Sequence, residues 1–224
     1  GALSNQTFLS SRPRADQSLF EFRSGLHPAD LVEGFRIQAV GLVRLSRPKL
    51  EGGHGSDHFQ TPDYATKIIV PYLRAAGVKT VWECAAGGGM MVRCLEREGF
   101  EVIGTDISTG YDFLKKPVTH NFDVIVTNVP FSLKVEFFKR AYEIGKPFAF
   151  LNPITIEGEL CRMFDEYGAE FIIPYQRIAY LTPKNKKSSP QIKTIWVTHG
   201  LNIGRDITFV DLKKYGYPNQ GEWR

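Results

Sequence analysis

Apolar residues from position 61 onward fall into two alternating patterns. Short, nearly continuous apolar runs predict strands, and segments with apolar residues at helical spacing predict helices. Because the two alternate and the strands are apolar on both faces, we expect an α/β fold with a doubly wound, mostly parallel sheet. The predicted strands are 79–84, 101–106, 122–127, 147–151, 170–174 and 192–198, and the predicted helices are 61–73, 90–98, 133–144 and 157–167.

Residues 1–57 lack this regularity. Arginines and polar residues are scattered through them, and they end in the glycine-rich run 51–57, which is typical of a loop. We therefore interpret residues 1–57 as an N-terminal extension or arm, 58–200 as the main domain and 201–224 as a C-terminal tail. The main domain opens with Thr61 as a hydroxyl N-cap before Pro62, and Pro71 should kink or shorten that first helix.

Composition narrows the class of protein. With 42% hydrophobic and 23% charged residues, the 224-residue chain can bury a core and is not disordered overall. It has no run of about 18 apolar residues, which excludes a membrane-spanning helix. We expect no membrane partner. The three cysteines form no CxxC pair, and His54 and His58 lack a third ligand, so we expect neither a disulfide scaffold nor a metal site. A soluble protein of the cytoplasm is predicted.

The charge is unevenly distributed. Nine basic and three acidic residues lie from Phe171 onward, a net charge of +6, whereas the rest of the chain sums to −2. Lys184, Lys186 and Lys187 form the densest basic cluster and are candidate contacts to a nucleic acid. The same prolines, serines and lysines are equally typical of a solvated surface loop.

A glycine turn and an acid follow the first two predicted strands. The run 83–89 reads Glu-Cys-Ala-Ala-Gly-Gly-Gly, and Asp106 ends the next strand 19 residues after Gly87. Glycines let the backbone approach a ligand at a helix N-terminus, and an acid at this spacing can accept hydrogen bonds from ribose hydroxyls. Ligands of open α/β sheets lie at these strand ends, so the pattern favours a site for a nucleoside cofactor.

These motifs together resemble a known family. The run 83–89 is similar to motif I of class I S-adenosylmethionine-dependent methyltransferases, although its last position departs from the dinucleotide GxGxxG pattern. The segment 123–131, ending Asn128-Val-Pro-Phe131, resembles the strand and Asn-Pro-Pro-Phe-type signature of methyltransferases acting on N6 of adenine. The segment 59–62 resembles the motif that precedes the glycine loop in gamma-type DNA adenine enzymes. Over residues 59–157 the chain is similar to small phage and prophage adenine methyltransferases.

The resemblance implies a Rossmann-like methyltransferase fold with a seven-stranded sheet and S-adenosylmethionine as cofactor. Thr61 and Glu83 would hold the methionine end of the cofactor, and Gly87 and Gly89 would leave room for it. Asp106 would bind the ribose, and Asp112 would accept a hydrogen bond from the adenine amino group. The side chain of Ile107 or Phe113 would pack on the adenine ring.

It further implies that Asn128 and the following carbonyl accept the hydrogens of the target amino group, that Pro130 belongs to the same signature, and that Phe131 stacks on an extruded base. Val129 stands where the family usually has a first proline, which removes the rigidity of two consecutive prolines. Alternatively, Asn128 caps the next helix and Phe131 belongs to the core.

The function expected from the resemblance is methyl transfer to N6 of adenine in DNA, in a bacterial or phage-infected cell. RNA adenine or a protein glutamine is an alternative acceptor, because the nitrogen chemistry is shared. A catalytically silent methyltransferase fold that serves as a binding or structural subunit is a third possibility. Because the main domain leaves little room for a separate target-recognition domain, we expect weak sequence specificity, recognition of a short site, or dependence on a protein partner engaged through residues 1–57.

Overall fold

A computed structural model describes residues 60–181 and 193–218 of the chain, in which one sheet carries helices on both faces. The strands are β1 (Thr80–Glu83), β2 (Glu101–Gly104), β3 (Val124–Asn128), β4 (Phe148–Pro153), β5 (Glu170–Pro174), β6 (Thr194–His199) and β7 (Ile207–Val210). The α-helices are α1 (Asp63–Thr66), α2 (Val70–Ala75), α3 (Met90–Arg97), α4 (Lys134–Ile144) and α5 (Glu159–Tyr167). Single 3₁₀ turns occur at Ile107–Thr109, Phe131–Leu133 and Leu212–Tyr215.

The strand order across the sheet is β2-β1-β3-β4-β6-β5-β7. Strand β6 runs antiparallel to both of its neighbours, and the other pairings are parallel. The predicted fold class, a doubly wound and mostly parallel seven-stranded sheet of the Rossmann-like methyltransferase type, is confirmed. Strands β1, β2 and β3 are adjacent and parallel, so their carboxyl ends lie together at one edge.

Alternating residues of the central strands enter two separate cores. In β3, Val124 and Val126 pack with the residues of α1, α2 and α3, whereas Ile125 faces the opposite side and packs with those of α4 and α5. Both faces of the sheet are therefore buried beneath helices, which is why the strands read as continuous apolar runs rather than alternating ones. Trp82 and Trp196, both fully buried, lie in opposite cores.

Two elements differ from those predicted. The first predicted helix is divided into α1 and α2, and Pro71 lies in the first turn of α2, where its missing N–H costs no hydrogen bond. Pro62, rather than Thr61, occupies the N-cap position of α1, and no side chain caps that helix. Residues 207–210, which we predicted to belong to a C-terminal tail, form β7 and pair with β5 at the edge of the sheet.

The proposed arm, residues 1–57, and the basic cluster of Lys184, Lys186 and Lys187 lie outside the described residues. Within the two described ranges, none of the helices has the length and apolar character needed to cross a membrane.

Candidate active site

A pocket of about 390 Å³ lies at the carboxyl ends of β1, β2 and β3. This size falls within the usual range of small-molecule sites, roughly 300–1,000 Å³. Nine of the eleven site residues predicted in the described ranges line it, and two, Gly89 and Phe131, do not. The nine are Thr61, Glu83, Gly87, Asp106, Ile107, Asp112, Phe113, Asn128 and Pro130.

The glycine turn between β1 and α3 forms one wall of the pocket. Gly87 and Gly89 have φ values of 50° and 73°, a conformation that side chains rarely adopt. Gly89 is the N-cap of α3 and does not line the pocket, so its left-handed conformation serves the start of the helix. Gly88 lies between them at the pocket wall, where a Cβ atom would come within 2.6 Å of the Gln60 side-chain oxygen. The Gln60 side chain therefore packs directly on the glycine turn, in the space that a side chain at position 88 would need.

Asp106 connects the end of β2 to the glycine turn. One carboxylate oxygen accepts a hydrogen bond from the Gly87 backbone N–H at 2.8 Å, and the other accepts from the backbone N–H and hydroxyl of Ser108 at 2.8 and 2.6 Å. A carboxylate offers about four lone-pair positions. The side chain therefore has a structural role in addition to the ribose contact predicted from the sequence. Ile107, next to it, lines the pocket with 69% of its surface exposed.

Glu83 is a buried carboxyl group at the floor of the pocket. Its side chain is 1% exposed, and one carboxyl oxygen accepts hydrogen bonds from the Thr127 hydroxyl and from the Ala85 backbone N–H, the latter at 3.0 Å. Burial raises the pKa of Glu83 to about 8, and the nearby Asp106 charge adds to the increase. The carboxyl group is consequently mostly protonated at neutral pH. Burial also raises the pKa of the neighbouring Cys84 thiol, which stays neutral.

Asp112 and Phe113 line the pocket next to the 3₁₀ turn that follows β2. One oxygen of Asp112 accepts from the Leu114 backbone N–H at 3.0 Å, and the other lies 3.2 Å from the Lys115 ammonium nitrogen. The Phe113 ring is buried, with its centroid 5.4 Å from that of Trp82 and 4.9 Å from that of Phe137. The packing fixes the Phe113 ring at the wall of the pocket, where an aromatic ligand could contact it.

Asn128 ends β3 at the pocket. Its side-chain oxygen, Oδ1, is buried and has no hydrogen-bond partner among the described residues. An unpaired buried acceptor costs free energy unless a donor reaches it, so the geometry favours a ligand that carries an N–H or O–H. The alternative role as a helix cap is not observed, since Pro130 and Leu133 occupy the N-cap positions of the next two helical segments.

The two residues after Asn128 hold the loop in place. Val129 is 1% exposed, and its N–H donates to the Leu151 carbonyl at 3.2 Å. Pro130 lines the pocket and has a φ of −57°, and a residue before proline is restricted to extended conformations. A proline at position 129 could not make the bond to Leu151. Much of the rigidity expected to be lost with the first proline is therefore replaced by this hydrogen bond.

Phe131 lies outside the pocket. Its ring is partly buried and meets the ring of Tyr180 edge to face, with centroids 6.5 Å apart. In this arrangement the side chain packs on the protein, as in the alternative that treats it as part of the core.

Several pocket residues were not singled out in the sequence. Gln60 and Met91 contribute to the pocket on the side of the glycine turn, and Leu133 contributes on the side of Asn128. Thr127 holds Glu83 from the neighbouring strand. Of these, Gln60 could have been predicted as a site residue, because it directly precedes Thr61 in the motif at 59–62. The others occupy ordinary apolar or β-branched positions.

Long-range contacts bring the start of the described chain to the pocket. The backbones of Gln60 and Leu181 exchange two hydrogen bonds, at 2.9 and 3.0 Å. The Tyr64 hydroxyl accepts from the Ala179 N–H at 2.8 Å, and the Trp196 indole N–H donates to the Ala65 carbonyl at 3.0 Å. These three contacts position Gln60 and Thr61 against the glycine turn.

The fold, with its pocket at the strand ends, belongs to the α/β Rossmann-like class. A type I restriction-modification methyltransferase subunit from Streptococcus thermophilus superimposes with a TM-score of 0.50 at 15% identity, over 70% of this chain and 48% of that one. The O-methyltransferase TomG from Streptomyces achromogenes, solved with SAM, gives a TM-score of 0.36 at 12% identity, over 59% of this chain and 78% of that one. This chain thus spans about half the length of the restriction-modification subunit.

The likeness to the restriction-modification subunit supports the fold alone. No protein-family model and no curated protein sequence matches the chain.

Proposed function

We propose that this chain transfers a methyl group from S-adenosylmethionine to an exocyclic amino nitrogen, and that the acceptor is N6 of adenine in DNA. When bound, the cofactor supplies a methyl group activated by its sulfonium. The pocket suits it because a tight glycine turn, an acid after β2 and a fixed aromatic ring surround one cavity of about 390 Å³.

The observation that carries the proposal is the buried, unpartnered Oδ1 of Asn128 in the wall of that pocket. An amide oxygen accepts a hydrogen bond from an amino group, orients its nitrogen and increases the electron density on it. An exocyclic amino group is a poor nucleophile, so both effects would assist its methylation. An acceptor with no partner among the described residues is available to that amino group.

Restriction of the backbone after Asn128 supports the same chemistry. The Val129 N–H is bound to Leu151 and Pro130 restricts the residue before it, so the direction of the Val129 carbonyl is limited. That carbonyl would accept the second hydrogen of the amino group. The variant Asn-Val-Pro-Phe sequence is therefore compatible with an active enzyme.

Adenine in DNA is the acceptor favoured by the motif at 123–131 and by the basic residues Lys184, Lys186 and Lys187. The methyltransferase subunit from Streptococcus thermophilus belongs to a restriction-modification system, which also favours DNA. A base inside a duplex cannot reach such a pocket, so the target base would be extruded from its stack. RNA adenine and protein glutamine are the alternative acceptors, and a protein partner would bind through residues 1–57.

A catalytically silent binding subunit is the second candidate. It is favoured by the Asp106 carboxylate, which is engaged by Gly87 and Ser108, and by the Phe131 ring, which packs on Tyr180 outside the pocket. A silent subunit that has lost the ability to bind S-adenosylmethionine is distinguished from the methyltransferase by a cofactor-binding measurement.

The experiment has two stages. The purified chain is first titrated with S-adenosylmethionine by calorimetry, alongside Asp106→Ala and, as a matched control, Asp165→Ala, which removes an exposed carboxylate of α5. We expect micromolar binding to the wild type and to the control, and a loss of about tenfold or more in Asp106→Ala. The second stage offers the cofactor with a labelled methyl group to DNA, RNA and protein. Labelled DNA supports the proposal. Label in RNA or protein only would show that the acceptor is not DNA. No binding at millimolar cofactor would favour the silent subunit.

A further inference from the structure

Strand β7 forms the edge of the sheet on the side away from the candidate active site. Its inner side is bound to β5, where Phe171 lies opposite Ile207 and donates its N–H to the Asp206 carbonyl at 2.8 Å. Successive residues of a strand direct their backbone groups to alternate sides, so the N–H and C=O groups of Ile207 and Phe209 point away from β5. Among the described residues, no strand pairs with that outer side.

The side chains at these two positions are apolar and exposed. Ile207 and Phe209 lie opposite Phe171 and Ile173 of β5, so the four side chains share one face of the sheet. An exposed edge strand with an apolar face is a template for pairing with another chain. The strand Ile207–Val210 contains neither the proline nor the charged residue with which many edge strands prevent such pairing.

Opposite charges lie at the two ends of this apolar strand. Arg205 precedes it, lines the same groove as the two apolar side chains and forms no ion pair with a described residue. Asp211 follows it with an extended backbone, at φ −92° and ψ 117°. The Oδ1 atom of Asp211 accepts from Gln176 and from the Lys213 N–H, and Oδ2 has no hydrogen bond among the described residues. Every second residue from Arg205 to Asp211 is therefore basic, apolar, apolar and acidic in turn, a pattern that is complementary to its own reverse.

We propose that β7 is a self-association surface, on which the β7 of a second copy of this chain pairs antiparallel about a two-fold axis at Thr208. In this register Ile207 faces the partner's Phe209, and the two can exchange backbone hydrogen bonds as in a regular antiparallel ladder. Arg205 faces the partner's Asp211. An axis at Ile207 would instead place Phe209 opposite Arg205, and an axis at Phe209 would place Ile207 opposite Asp211. Charge complementarity and apolar cross-strand contacts therefore both favour the axis at Thr208.

The expected dimer is weak and leaves the candidate active site accessible. Pairing through four-residue strands buries less surface than a stable obligate dimer, so we expect a dissociation constant on the order of 10 µM and a monomer at about 1 µM or below. Denaturant unfolding at such low concentration reports on the monomer. Because β7 and the pocket lie at opposite sides of the sheet, the inference does not depend on the proposed function.

Sedimentation velocity of the full chain, from about 1 to 300 µM, measures the association. The variants Ile207→Lys and Phe209→Glu each place a charge opposite an apolar side chain at two points of the interface, and each should weaken dimerisation about tenfold or more. Both positions are exposed in the monomer, so both variants should fold. Val118→Lys is the matched control, because Val118 is also exposed and lies outside β7, and it should dimerise as the wild type does.

A mixture of the two variants tests the register. In the mixed dimer the lysine of Ile207→Lys faces the glutamate of Phe209→Glu, and the second pair is the native one of Phe209 with Ile207. The mixture should therefore associate about tenfold more tightly than either variant alone. Because the mixed dimer forms only from folded chains, this recovery also shows that the single variants had not misfolded. An axis at either neighbouring residue gives no recovery, since the two new charges would then not meet.

Three outcomes would overturn the assignment. The first is a wild-type chain that stays monomeric up to about 300 µM. The second is a dimer that both single variants form as well as the wild type does, because the contact would then lie on another surface. The third is a mixture that associates no better than its components.

Discussion

The two halves of the sheet differ in the residues that their strands present at the surface. Strands β1, β2 and β3 lead into Glu83, Asp106 and Asn128, which surround one pocket. At the opposite edge, β7 presents Ile207 and Phe209, which are 50% and 60% exposed. Both halves belong to one continuous sheet, so the hydrogen-bonded framework alone does not create a site. Polar groups at the carboxyl ends of adjacent parallel strands do, because those ends open onto a common crevice.

Strand β4 provides the sharpest case, because its penultimate residue is a second asparagine. Asn152 is fully buried, and its Oδ1 lacks a hydrogen-bond partner within the described residues, as does that of Asn128. Its Nδ2 donates to the Pro153 carbonyl at 2.7 Å, and the residue does not line the pocket. Two similar amide oxygens thus differ in access to a ligand.

The largest expected effect comes from Asn128→Ala. Methyl transfer should fall about a hundredfold or more, the order found when one positioned hydrogen-bonding group is removed from an active site. S-adenosylmethionine affinity should stay within about twofold, because the amide is assigned to the acceptor and not to the cofactor. Single-turnover transfer of labelled methyl groups, with calorimetry of the cofactor, measures both.

Asn152→Ala is the companion to that variant, and its transfer rate should remain within about twofold of the wild type. If Asn128→Ala kept its activity, or if Asn152→Ala lost as much, the distinction between the two asparagines would be wrong.

The next effect concerns the pH dependence of stability through Glu83. Its pKa is about 8 in the folded chain and near the ordinary 4.5 when unfolded, so between these values the folded state holds a proton that the unfolded state has lost. Raising the pH through this window therefore favours unfolding. The stabilising contribution is complete below about pH 4.5 and is lost as the pH passes 8. Within the window the free energy of unfolding should fall by roughly 1 kcal/mol per pH unit, the slope of a single proton.

Glu83→Gln isolates this contribution, since glutamine keeps the shape and a carbonyl oxygen for Thr127 and Ala85 but has no proton to lose. Urea unfolding at pH 5, 6, 7 and 8 should give a wild-type slope that is steeper than that of the variant. Parallel slopes would mean that the Glu83 carboxyl group titrates normally in the folded chain.

Much of the pocket half was predictable from sequence because its signals are local. The glycine turn, the spacing from Gly87 to Asp106 and the strand before Asn128 each lie within about 25 residues, and nine predicted residues line the pocket. Gly89 and Phe131 match the expected sequence positions but do not line the pocket. Gly89 is the N-cap of α3, and the Phe131 ring contacts that of Tyr180. Sequence order gives the neighbourhood of a residue, whereas packing decides where its side chain lies.

The far half depends on contacts that no local pattern reveals. Strand β7 is four residues long and lies at the edge of the sheet with two exposed side chains, so its short run Ile-Thr-Phe-Val gives only a weak strand signal. The placement of β6 between β4 and β5, and the pairing of Gln60 with Leu181, join segments far apart in the chain. The hydrogen bond from the Val129 N–H to the Leu151 carbonyl was likewise not predictable, because every residue except proline has a backbone N–H.

Val129→Pro tests that bond and should have a moderate effect. Proline removes the N–H that reaches the Leu151 carbonyl at 3.2 Å, so the free energy of unfolding should fall by about 1–2 kcal/mol even though proline is usual in the family motif. Denaturant unfolding measures the loss, and amide exchange should show the wild-type Val129 N–H to be protected. A variant as stable as the wild type would show that the hydrogen bond adds no rigidity to the loop.

Phe209→Ser at the opposite edge should have the smallest effect. The side chain is 60% exposed, so much of its surface is in water before and after the change, and we expect a difference within about 0.5 kcal/mol. Phe138→Ala provides the contrast, because that ring lies fully buried on the inner face of α4 and its loss should cost about 3–5 kcal/mol. Denaturant unfolding of both variants, with cofactor titration of Phe209→Ser, makes the comparison. A loss of more than about 1 kcal/mol in Phe209→Ser would mean that this ring is covered in solution, and the edge would then belong to the packed part of the molecule.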